Sequence, residues 1–137
     1  MLHPRDHIIG YVQPAIDMLD RDPLNRVLAA NAIVQVDMLV GLLAEWGSGG
    51  MQGAAPEDVA RLRNDLEDRR GDLVAVRKFR QMHERGELDV RFAAVRKAGR
   101  HLPVVMVPNG NGSYFELLPL LRRAVKCWGA ELRKRGL

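Results

Sequence analysis

Arg77, Arg80 and His83 stand in one short stretch of this 137-residue chain and are its most chemically suggestive residues. Residues 72–85 read as a helix, and at about 100° per residue His83 falls beside Phe79 and Val76 on the apolar face. Arg80, three residues earlier, stands at that face's edge. Burial beside a guanidinium disfavours a charged imidazole, and a neutral imidazole suits a general base. The same placement also describes a histidine at the core edge with a hydrogen-bond partner. In an unbroken helix Arg77 points about 120° away from His83. Any catalytic set read from this helix alone is therefore expected to be His83 with Arg80 beside it.

The segment Arg77-Lys78-Phe79-Arg80-Gln81-Met82-His83 resembles the Arg-x(4–6)-His pattern of the HEPN superfamily. Arg96 to His101 satisfies the same spacing, and Lys78 stands where that family usually has a small polar residue. A looser likeness covers residues 2–137. The order of a helical pair, a third helix ending in an Arg/His segment, a hairpin and a Trp-bearing last helix is similar to that of bacterial and prophage HEPN-like proteins. The resemblance implies a helical homodimer that binds or cleaves RNA without a metal, in a defence or toxin–antitoxin setting, and adds Arg77 to His83 and Arg80 as an expected catalytic residue. The reading from another class is a non-catalytic protein-interaction module, such as a phage or prophage accessory protein.

Charge is unevenly placed. Residues 1–70 hold 7 basic against 11 acidic residues, whereas residues 71–137 hold 14 against 6. A basic half is the footprint of a polyanion-binding surface. Lys78, Arg91, Arg96, Lys97 and Arg100 are the expected nucleic-acid contacts, joined by Arg122, Arg123, Lys126, Arg133 and Lys134 of the closing helix. Solvated faces need charge as well, and 17 of the 21 basic residues are Arg. Few aromatics are interleaved, so base stacking has little support.

The remaining groups suggest less. His3 and His7 are one turn apart with Asp6 between them, a metal-pair spacing, but Pro4 and the chain end argue against fixed geometry. Asn31 and Gln35 lie one turn apart on an apolar helix. Buried amides need partners, so another helix, a second copy or a ligand is expected there. Gly110-x-Gly112 leads into no helix N-terminus and is not a dinucleotide loop. Cys127 reads as packing, and a single cysteine excludes an internal disulfide. No metal and no cofactor are expected.

The elements that would position these groups follow from period and punctuation. A first helix is expected over 5–20, kinked or broken at Pro14. Asp22-Pro23 would cap a second, nearly all-round apolar helix over 23–46, the centre of the fold. Gly47 to Pro56 reads as a flexible loop. A third helix opens at Pro56, is interrupted at Gly71 and continues to about 85. Residues 88–94 alternate as a strand. Residues 104–107 and 114–117 would pair across Asn109–Gly112. Pro119 starts the last helix and Gly136 stops it. The expected class is mainly α: one helical bundle, residues 1–137, with a small antiparallel β-hairpin before the C-terminal helix. The N-terminal residues lack a signal-peptide pattern, and Asn31, Gln35 and Asp37 break the longest apolar run. A cytoplasmic location without membrane contact is therefore expected.

Overall fold

The computed structural model describes residues 2–47, 55–95 and 99–137. The expected first helix is three helical pieces: α1 (Pro4–His7), a π-helical turn (Ile8–Val12) and α2 (Gln13–Arg21). Pro14 has no N–H, and its ring crowds the carbonyl four residues back. The wider π turn accommodates it: the Gln13 N–H bonds the Ile8 carbonyl, five residues back. The helical path continues through Pro14 instead of breaking there.

The central helix α3 (Arg26–Gly47) begins three residues later than expected, because Asn25 and not Asp22 caps it. The Asn25 Oδ1 accepts from the N–H groups of Val27 at 3.0 Å and Leu28 at 3.1 Å. Two otherwise orphaned donors are thereby satisfied. Its expected central role is seen: Ala29, Ala32, Ile33, Val36, Leu39, Val40 and Leu43 are all buried. The helix is long and apolar enough to cross a membrane, and 56% of its most apolar window is buried within the fold. Most of the expected loop, residues 48–54, lies outside the described residues.

The interruption at Gly71 separates α4 (Pro56–Glu67) from α5 (Gly71–Glu84). The strand expected over 88–94 is β1 (Val90–Val95). The hairpin is present as β2 (Arg100–Met106) and β3 (Tyr114–Glu116), with Val105 opposite Phe115. Asn109 and Asn111 adopt positive φ in the turn, which asparagine tolerates better than most side chains. β2 is longer than expected and pairs β1 on its other edge, so the hairpin grows into a three-stranded antiparallel sheet, β1-β2-β3.

The sheet leads directly into α6 (Leu117–Lys134), whose Leu117, Leu121, Ala124, Trp128 and Leu132 are buried. Gly136, at φ 74°, ends it, and the Leu137 N–H returns to the Leu132 carbonyl at 2.8 Å. The class is mainly α, with 67% of the described residues helical and the small sheet before the closing helix. Burying each leucine of this core contributes about 1.5–3 kcal/mol.

The cap supplies a test of this assignment. Asn25→Ala should lower stability in urea by about 1 kcal/mol, and Asn25→Asp should restore most of it. Asp22→Ala should change little, the reverse of the pattern expected from sequence.

Candidate functional site

The one buried acid of α3 organises its surroundings. Asp37 is 7% exposed, and an unpaired carboxylate there would cost several kcal/mol. Arg63 of α4 grips it with two parallel bonds, Nη1 to Oδ1 at 2.8 Å and Nη2 to Oδ2 at 3.2 Å. Arg80 of α5 adds Nη1 to Oδ2 at 3.2 Å. A second acid extends the network: Glu67 lies 3.7 Å from Arg63 and accepts from Arg77. Burial alone would lower the Arg63 pKa. The bonds and charge of Asp37, then of Glu67, more than offset it, and the net shift is upward.

Sequence reasoning missed this network. It treated Asp37 only as an interruption in an apolar run, although a lone acid on a buried helix implies cations on the helices packed against it. Arg77 and Arg80, both expected in the catalytic set but only Arg80 beside the histidine, are the cations this acid and Glu67 recruit. Arg80 also bonds Glu84 at 3.2 Å, and Arg77 reaches Gln81 at 3.5 Å. Together these side chains line a shallow cavity of about 350 Å³.

His83 is not part of it. The residue follows Val76 and Phe79 on the same side of α5 but lies one turn further on, where the helix has passed the core. It is exposed rather than partly buried, and its ring makes no hydrogen bond or ion pair among the described residues. The imidazole faces a separate groove of about 460 Å³ with Arg26, Asn31, Val34, Leu88 and Val90. Arg26 there donates Nε to the Val90 carbonyl at 3.2 Å, and its guanidinium lies 4.9 Å from the Phe92 ring centre. Arg77 and Arg80 thus line one cavity and are held by carboxylates, and among the described residues neither bonds the His83 ring. What remains around His83 can hold an anion or a polar ring, but it lacks the arginine partners that the motif assigned to it.

The expected nucleic-acid contacts are similarly divided. Arg91 pairs with Asp89 at 3.1 Å, and Arg100 pairs with Asp20 at 2.7 Å. Lys78 stands on the outer face of α5, and Arg96 and Lys97 lie outside the described residues. On α6, Arg122 and Arg123 reach Asp20 and Asp72. Lys126, Arg133 and Lys134 are exposed and form no ion pair among the described residues.

His3 and His7 do not converge. The His3 Nδ1 accepts from the Arg5 N–H at 3.0 Å, and its ring meets Trp46 edge-on. His7 is buried, with Nε2 at 2.9 Å from the Gln35 carbonyl and its ring stacked on Tyr11. Among the described residues no group of three metal-ligating side chains forms. The amide pair is less buried than expected: Asn31 is exposed, and Gln35 donates Nε2 to Asn31 Oδ1 at 3.3 Å. The Gln35 Oε1 is buried without a partner among the described residues. Cys127 is half-buried, and burial first, with the Asp72 charge adding, pushes its thiol pKa up against the opposing effect of Arg70. That suits the packing role expected of it.

No family model, curated protein or solved structure matches the chain.

The division predicts opposite outcomes for two substitutions. Asp37→Ala should cost about 3 kcal/mol in urea unfolding, because two guanidinium groups lose their partner. His83→Ala should stay within about 0.5 kcal/mol of the parent, as exposed changes do. A large loss for His83→Ala would return it to the core edge.

Proposed function

We propose that this chain is a non-catalytic interaction module that pairs with a second copy along the exposed face of α3. One observation carries the reading. Val27, Asn31, Val34, Met38 and Leu42 form a partly exposed stripe, and Asp37, which is buried, is the only charged residue between Val27 and Ala44. Ile9, Tyr11 and Met18 are exposed on the neighbouring helical segments. The bond from His7 to the Gln35 carbonyl, with Tyr11 stacked on His7, ties this segment to α3. An uncharged strip suits two copies that each carry a net charge of +4, since it lets them meet without opposing like charges. The exposed Asn31 amide supplies a donor and an acceptor that a two-fold arrangement can match. Apolar lipid offers neither.

A second reading, RNA binding in the manner of HEPN-like proteins, is favoured by the unpartnered His83 ring in its groove with Arg26 and Asn31. The three unpaired cations of α6 would then supply phosphate contacts.

Light scattering at micromolar concentration should give about twice the 15.4 kDa chain mass. Val27→Glu with Val34→Glu should give a folded monomer, because two copies would bury opposed like charges. A monomeric parent contradicts the pairing. Anisotropy with a labelled single-stranded RNA separates the two readings: the interaction module binds it weakly at physiological salt. Tight binding that falls steeply with salt and weakens on reversal of Lys126, Arg133 and Lys134 to Glu would establish the RNA reading.

A further inference from the structure

We infer that the groove between α5 and the β2–β3 hairpin docks a peptide segment of a partner protein, with apolar side chains seated on its floor and acidic ones along its rim. The inference rests on the interaction-module reading but not on pairing through α3.

The groove, about 920 Å³, runs beside α5 from Gly71 to Arg85 and is walled on the other side by Val107, Pro108 and Phe115. That stretch of helix spans about 21 Å, and the groove is open to solvent. Small-molecule sites instead enclose most of the ligand surface, so an elongated occupant fits better. The floor is apolar. Phe79 meets Phe115 edge-on, 5.5 Å between ring centres, with Met82 beside them. Phe115 remains 38% exposed, which leaves an aromatic surface that a partner's aliphatic or aromatic side chain can cover.

The wall is held in place before any partner arrives. The Val107 N–H bonds the Ser113 carbonyl at 3.0 Å, and the Gly110 N–H bonds the Val107 carbonyl at 3.1 Å. Gly110 is required for that approach, since a Cβ there would lie 2.9 Å from the Val107 Cβ.

Charge selects the occupant. Lys78 and Arg85 stand about 10 Å apart, two turns along the same side of α5. Both are exposed, and neither forms an ion pair among the described residues. On the opposite flank, Arg77 and Arg80 are both engaged by carboxylates. Of the two acids that line the groove, Asp72 is engaged by Arg123 at 3.3 Å, and Glu87 lies at the far end. Among the described residues the rim therefore carries two unpaired cations, Lys78 and Arg85, against one unpaired acid, Glu87, over an apolar floor. A second copy, itself net positive, would meet that rim with the wrong charge. RNA bases can stack on Phe115, but the two cations of this groove supply few of the phosphate contacts that RNA affinity rests on.

The probe is a fluorescein-labelled amphipathic peptide with leucines between two glutamates about seven residues, or two helical turns, apart. A control peptide carries lysines in place of the glutamates. Anisotropy should show the glutamate peptide binding at least about tenfold more tightly than the lysine peptide. Lys78→Glu with Arg85→Glu should reverse that preference while circular dichroism stays unchanged, because both sites are exposed. Gly110→Ala, which displaces Val107, should weaken binding in the parent. Backbone amide shifts should concentrate on α5 and residues 107–115. The inference is overturned by equal binding or no binding of the two peptides, by indifference to charge reversal, or by shifts confined to α3. Concentration-dependent shifts in the groove without peptide would mark a second copy there, and displacement of the peptide by an RNA oligonucleotide would mark nucleic acid; either outcome also overturns it. Repeating the titration on the Val27→Glu, Val34→Glu protein keeps the two proposals apart, since binding there survives loss of the α3 pairing.

Discussion

A carboxylate in the middle of the most apolar helix sets the terms for the rest of this fold. Asp37 must be surrounded by cations to be tolerated where it is, and Arg63 and Arg80 come from two different helices to meet it. The three elements α3, α4 and α5 are thereby locked in rotation as well as packed. Apolar contacts alone would tolerate a slide or a turn of one helix against another. A forked guanidinium bond would not. A buried ion pair adds little net stability over a well-packed apolar replacement, so its main contribution here is register.

That constraint divides α5 into three sides with different work. One side carries Leu73, Val76 and Phe79 into the core. A second carries Arg77, Arg80 and Glu84 along the cavity beside Asp37. The third, with Lys78, Met82 and Arg85, is left to the hairpin and solvent. His83 falls on the core-facing side just past the core's end, which makes it accessible, while the carboxylates of Asp37, Glu67 and Glu84 engage the arginines that precede it. The spacing that looks like a catalytic signature is, in three dimensions, a structural pin followed by an unengaged histidine.

Much of the architecture was legible from period and punctuation. The all-round apolar segment marked the central helix, Gly71 marked the boundary between α4 and α5, and Asn109 to Gly112 marked the hairpin. What failed depended on alternatives that local sequence does not rank. Pro14 can break a helix or be absorbed by a π turn, and Asn25 and Asp22 are equally good caps three residues apart. The edge of β2 that recruits β1 is a long-range choice. The candidate site was less legible, because it depended on where charges go. A helical wheel places His83 beside the core but does not show where the core stops. It also gives no sign that Asp37, 43 residues earlier, claims Arg80.

The claim that Arg80 is held by Asp37 is most directly tested by a double-mutant cycle in urea unfolding with Asp37→Ala, Arg80→Ala and the double variant. If the pair is the pin described here, the two single losses overlap. The double variant should then be more stable than their sum predicts, with a coupling of about 1 kcal/mol or more. Losses that add within about 0.5 kcal/mol would mean that Arg80 stands free of Asp37, and would return it to His83 and the motif they share.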